Sequence, residues 1–315
     1  KKKIIVLPGI IIQPLTQIFK FLKLENKFKI PIRDFKSSKN PALIRSIANL
    51  SPTSDIHGVL SKYPPLIKFN SDELVRGECF LNHIGIKQND KIVCIHNRSN
   101  SYRDENFNSL RNSSIKNFQS AIEFLLNKNI KVIRMGRDEK KKFNLNKDGF
   151  FDYSSSDYQD DFLDFYLISK CEFFVGAASG IIEIAKIFRK PIMIHNILNL
   201  RDMIHYVGDL EKIVLPKKIW SNESRSFLNF NETLKNDYNS KNLISDLNKN
   251  LEVFENTSEE LYHAIKEMYN IVILKDNFYS NQTKFFRLYD NIYKNPLVKK
   301  VKISYNFFEK NINLF

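Results

Sequence analysis

The chain has 315 residues, 43% hydrophobic and 13% aromatic, enough apolar material for a sizeable core and too much for a disordered chain. Its 49 Lys and Arg against 35 Asp and Glu leave a formal charge of +14, which favours anionic partners such as nucleotides, phosphosugars, acidic glycans or an anionic membrane surface. Much of that charge is ordinary surface Lys, and no basic run is interleaved with stacking aromatics, so no nucleic acid is expected as a partner.

Residues 1–90 read as a first unit. Ile4–Leu7 is a short apolar strand before the turn signal Pro8-Gly9, and Leu15–Leu24 and Pro41–Leu50 have helical spacing. Pro64-Pro65 marks a loop. Ser71-Asp72 reads as the N-cap of a helix running to about Ile84, with Gly85 as its C-cap. Cys79, Cys94 and Cys171 are far apart and odd in number, so they read as buried free thiols of a reducing cytoplasm rather than a disulfide framework or a zinc site. The longest apolar stretches, such as Ile4 to Ile12, fall far short of the ~20 residues that span a bilayer, and no signal-peptide layout is present. The first residue is Lys, so a truncated start is expected.

Residues 91–220 read as a second unit of alternating strands and helices. Strands are expected at Lys91–His96, Lys131–Met135, Glu172–Val175 and Pro191–His195, and helices at Ile115–Asn127, Asp161–Ser169 and Ile181–Phe188. That alternation implies a doubly wound parallel sheet of the α/β class. Residues 221–315 are polar and Asn-rich and read as a C-terminal helical extension, with helices at Ser258–Tyr269 and Lys284–Tyr293.

Chemistry concentrates at the strand ends. Gly176-Ala-Ala-Ser-Gly180 turns from a strand into a helix with small residues only, so a phosphate can approach the backbone near Ser179 and Gly180. It matches neither the dinucleotide fingerprint nor the P-loop. An anion cradle and a turn kept small for packing are equally compatible with it. The strand Lys91–His96 discharges into a polar loop carrying His96, Asn97, Arg98 and Tyr102, and Arg98 has the planar fork that grips a diphosphate. Arg134 and Gly136 close a third strand. Glu183, in the first helical turn after Gly180, is a candidate for a nucleotide ribose or for a dipole-matching acid. His96, Asp104 and Glu105 are the candidate bases on the first loop.

Taken in order, these motifs resemble two related families. The run Phe174–Pro191 is similar to the heptosyltransferase pattern of apolar strand, Gly, Ser-Gly, helix and Pro. Residues 70–275 more closely resemble a family of bacterial glycosyltransferases of surface-polysaccharide gene clusters. The resemblance rests on the loop of His96, Arg98 and Tyr102, the pair Arg111-Asn112 and the strand end Arg134–Gly136. It continues through Asp152-Tyr153, the helix start Asp161–Asp164, the strand Cys171–Phe174 and the segment Glu255–Glu260. It implies a GT-B-like fold of two Rossmann-like units. The acceptor-side unit is 1–90, short for a full domain, and the donor-binding unit is 91–220. The implied activity is metal-independent transfer of a sugar from a nucleotide-sugar donor to a glycan or lipid-linked acceptor, with no cofactor beyond the donor. The +14 charge and the Lys-rich ends, Lys1–Lys3 and Lys299-Lys300, suit a lipid-linked acceptor on an anionic leaflet, so a cytoplasmic protein peripheral at the inner membrane is expected, with plainly solvated charge as the alternative. The chain departs from the surface-polysaccharide pattern at Ser99 and from the heptosyltransferase pattern at Ala178, the positions where those patterns respectively have Asp. A non-catalytic nucleotide- or glycan-binding relic of the fold, and a sugar-nucleotide epimerase on the same fold, are the rival expectations.

Overall fold

Four apolar runs of five or six residues form the inner strands of one parallel sheet. They are β1 (Lys91–His96), β2 (Ile130–Met135), β4 (Phe173–Ala177) and β5 (Ile192–Ile197), with β3 (Phe150–Asp152), β6 (Lys212–Pro216) and β10 (Lys302–Ile303) completing it toward the edges. The order is β10-β6-β5-β4-β1-β2-β3, and every pair is parallel. Ile92, Val93, Cys94 and Ile95 are all buried, as a parallel strand covered on both faces requires. The computed structural model describes residues 59–99, 110–137, 142–198, 211–235, 250–276 and 302–315, all within the unit Leu50–Phe315. The elements expected at Ile4–Leu7, Leu15–Leu24, Pro41–Leu50 and Lys284–Tyr293 lie outside the described residues.

Helix α1 (Ser71–His83) is capped by Asn70, one residue before the expected Ser71. The Asn70 side chain accepts from Glu73 N at 2.9 Å while Glu73 accepts from Asn70 N at 2.8 Å, a reciprocal capping box. The helix expected over Ile115–Asn127 begins as a 3₁₀ turn at Ile115–Phe118 and continues as α2 (Gln119–Asn127). Helix α3 (Asp161–Lys170) is capped by Asp160, and α4 (Ile181–Ile187) follows β4. Cys94 and Cys171 are buried as expected, but Cys79 is exposed because it lies on the outer face of α1.

The stretch after β6 holds structure that the hydropathy pattern hides. Strands β7 (Lys218–Ser221), β8 (Ser226–Phe227) and β9 (Leu251–Phe254) form a small antiparallel sheet, with Trp220, Phe227 and Phe254 meeting edge to face. A short helix α5 (Phe230–Lys235) follows β8. Helix α6 (Ser258–Val272), with its own capping box of Thr257 and Glu260, buries Leu261, Ala264, Ile265 and Met268 in the main core. Helix α7 (Tyr305–Lys310) follows β10, so the segment 221–315 adds strands as well as helices to the unit. Among the described residues no helix is long and apolar enough to cross a membrane.

Candidate functional site at the strand-order reversal

The chain runs β1, β2, β3 in one direction, then returns to place β4 on the other side of β1 and continues through β5 and β6. Loops leaving β1 and β4 therefore diverge and leave a crevice outside their carboxyl ends, where ligands bind in open α/β sheets. The register pairs His96 with Gly176 and with Met135, so three strands end level with one another. A cavity of about 400 Å³ opens there, lined by Arg98, Gly136, Asp164, Ser179 and Gly180 among others. This size is ordinary for a small-molecule site.

The two glycines of the site serve different ends. Gly136 has φ +115, and a Cβ there would stand 3.0 Å from the His96 ring, so only glycine fits. Gly180 has φ −58 and ψ −29, which any residue adopts, and a Cβ there would meet nothing within 4 Å. Its lack of a side chain keeps space open and relieves no strain. Packing accounts for Gly176 instead, where a Cβ would lie 2.5 Å from Phe174. The N–H groups of Ile182 and Glu183 are already bound by the carbonyls of Ser179 and Gly180, and α4 has only seven residues. What faces the crevice is accordingly the turn itself and not a long helix dipole.

His96 is wedged between Gly136 and Ser179, with its Nδ1 3.5 Å from Ser179 Oγ. Burial pushes its pKa down to about 3, and His195, Arg98 and Arg134 add to the effect. The imidazole is neutral at pH 7 and a weak proton acceptor, which argues against its expected role as base. His195, fully buried on β5, is likewise lowered, to about 4, by burial. It donates from Nε2 to the His96 carbonyl at 3.0 Å and accepts at Nδ1 from the Asn196 amide at 3.0 Å, which fixes its tautomer.

Arg134 is not where a diphosphate would meet it. Its side chain is wholly buried; Nε donates to Asn97 Oδ1 at 3.0 Å and Nη1 to Asp152 Oδ2 at 2.9 Å. Asn97 in turn donates to the Ser113 carbonyl at 3.2 Å, and Ser113 N donates to the Arg98 carbonyl at 2.9 Å. The chain Asp152–Arg134–Asn97–Ser113 thus holds the loop that presents Arg98. Arg134 and Asn97 position the site from behind. Glu183 pairs with Lys186 at 2.7 Å and so faces along its own helix. Tyr102, Asp104 and Glu105 lie outside the described residues.

Some residues of the crevice had no role in the sequence reading. Arg111 reaches from the far side of the loop to the Ala178 carbonyl at 3.5 Å. Arg137 pairs with Asp161 and approaches Asp164 at 3.6 Å. Asp164 lines the cavity, its Oδ1 is buried without a hydrogen-bond partner, and burial raises its carboxyl above the usual range. Its place in the motif Asp161–Asp164 was a visible signal without a stated chemistry.

No family model matches the chain, and no curated protein matches it. Among solved structures it is similar to a glycosyl transferase family 9 protein from Veillonella parvula, at 10% identity and a TM-score of 0.44, over 67% of this chain and 54% of that one. It is also similar to the E. coli ADP-heptose lps heptosyltransferase II, at 11% identity and a TM-score of 0.38, over 58% and 52%. A third is the dodecameric iron-containing heptosyltransferase TibC in complex with ADP-D-beta-D-heptose, at 18% identity and a TM-score of 0.26, over 34% and 27%. The chain spans about half the length of the first of these structures. Likeness at this level names no substrate or activity for this chain.

Proposed function

We propose that the chain is a metal-independent glycosyltransferase. It moves a sugar from a nucleotide-sugar donor to a glycan or lipid-linked acceptor of a bacterial surface polysaccharide, from the cytoplasmic side of the inner membrane, with no other cofactor. The observation that carries this reading is the crevice at the strand-order reversal, where Arg98 and the open Ser179-Gly180 turn line one cavity. Departure of a nucleoside diphosphate builds negative charge on its phosphoryl oxygens. Preorganised donors in a partly enclosed site stabilise that charge more than they stabilise the ground state. Arg98 supplies a planar fork on one wall and the turn supplies close backbone approach on the other.

An acceptor hydroxyl must also lose a proton. Of the described groups in the cavity, Asp164 is the carboxylate that burial makes more basic, whereas His96 is made less so. Asp104 and Glu105 remain candidates on the same loop as Arg98. The test is nucleotide release from UDP-, GDP-, ADP- and CMP-sugars, with and without extracted surface glycan. The reading predicts release from one donor, accelerated by acceptor, with the acceleration lost and binding retained in the amide variant of the base among Asp164→Asn, Asp104→Asn and Glu105→Gln. A binding relic would release nothing from any donor.

A further inference from the structure

A second cavity, of about 620 Å³, also borders the Asn97–Ser99 loop. The two cavities share Asn97, Arg98 and Ser99 as a common wall and nothing else. The second is lined by Ser113, Lys116, Lys142, Lys217 and Glu255 among others. Four of its lining residues are cationic, counting Arg98, and Glu255 is the acid among them. Glu255 is engaged by Ser114 N at 2.8 Å and by the Asn117 amide at 3.4 Å.

Lys217 is the unusual member. It sits between β6 and β7, only 5% exposed, and its ammonium donates to the Asn112 carbonyl at 3.2 Å. An ammonium carries three donors, and a charge held this deep costs stability unless an anion faces it. Burial accordingly lowers its pKa to about 8, partly offset by Glu255, so it is still mainly charged at pH 7. Beside it the Ser113 hydroxyl, also more than nine-tenths buried, has no hydrogen-bond partner. A buried cation and an unanswered hydroxyl on the wall of one open cavity are the two halves of an oxyanion site.

We infer that this cavity is a second anion site, which takes a phosphoryl group between Lys217 and the Ser113 hydroxyl. Its volume admits the phosphoryl group together with a sugar-sized substituent. Resting on the proposed function for this clause alone, the shared wall at Arg98 makes it the place for a phosphoryl group belonging to the acceptor.

The test is calorimetric titration with inorganic pyrophosphate at low ionic strength. Wild-type protein binds two equivalents. Lys217→Met loses one of them, Ser113→Ala weakens the same one by at least tenfold, and Gly180→Val loses the other. Lys217→Met also melts at or above the wild-type temperature without ligand, because it removes a buried charge that Glu255 only partly offsets. Two equivalents retained in Lys217→Met overturn the inference and leave the proposed donor site standing. Loss confined to Lys217→Met, with both equivalents kept in Gly180→Val, does the reverse: it supports the inference and overturns the donor site. Competition by glucose 1-phosphate and sedimentation with phosphatidic-acid vesicles, each compared with Lys217→Met, identify a soluble or a lipid-borne phosphoryl group. Either response supports the site when Lys217→Met abolishes it, and one that Lys217→Met leaves intact counts against it.

Discussion

Replacing Arg134 with Met separates support from contact. The guanidinium bridges Asn97 at 3.0 Å and Asp152 at 2.9 Å from a position with no exposure. Met fills similar volume and removes both bonds, leaving the Asp152 carboxylate nearly buried beside the Phe143 N–H and the Ser154 hydroxyl that remain to it. Breaking a buried ion pair from one side costs about 3–5 kcal/mol. At about 2–4 °C per kcal/mol for a unit of this size, the melting point falls by roughly 6–20 °C. The two donors that Asp152 keeps place the outcome in the lower half of that range. Asp152→Asn in the Met background recovers part of the loss, since no charge is then stranded. Scanning calorimetry gives the stability, and nucleotide titration below the transition gives the affinity, which falls only modestly because Arg98 is still present. A variant that melts like wild type but has lost nucleotide affinity by a hundredfold would refute this reasoning, because Arg134 would then be touching ligand.

Arg98→Ala should keep its melting point and lose about 10²–10³ in transfer rate, roughly 3–4 kcal/mol, with kcat falling as well as KM rising. Arg98→Lys should recover only part, since a point charge cannot reproduce the fork, and a fully active Ala variant would remove Arg98 from the site. His195, lowered from 6.5 to about 4, binds its proton later in the folded than in the unfolded state. Its contribution is complete above pH 6.5 and drains away between 6.5 and 4. From pH 7 to 5 that is about 2 kcal/mol of stability. Asp164 and Glu267, raised by burial, titrate in the opposite sense, so the comparison is with His195→Gln. Urea unfolding should show the wild type losing more than the variant over that range, and equal slopes would contradict it.

The central strands were legible because Lys91–His96 and its neighbours are continuous apolar runs, and a buried parallel strand leaves little choice of residue. The strand ends were legible for the same reason, since polar and small residues begin where the apolar run stops. Partners were not. Arg134 and Asp152 are register neighbours on β2 and β3, and only the pairing of those strands shows that one neutralises the other. Strand β6 is hidden in the sequence, because its apolar run, Ile213 to Leu215, is three residues long between Lys212 and Pro216, and Lys217 is hidden with it. The reciprocal bonds of Asn196 and Asn256, each donating its backbone N–H to the other's side chain at 2.7 Å, join residues 60 positions apart that no local pattern connects.

In the proposed site the turn at Ser179-Gly180 is open for a diphosphate and not merely small for packing. Gly180→Val distinguishes the two, because its backbone is ordinary and its Cβ points into empty space. Titrating UDP, GDP, ADP and CDP into wild type and variant by calorimetry is the direct measurement. One nucleotide is expected to bind the wild type, while the variant melts at the wild-type temperature and has lost affinity for that nucleotide. Equal affinity in a folded Gly180→Val protein would contradict it.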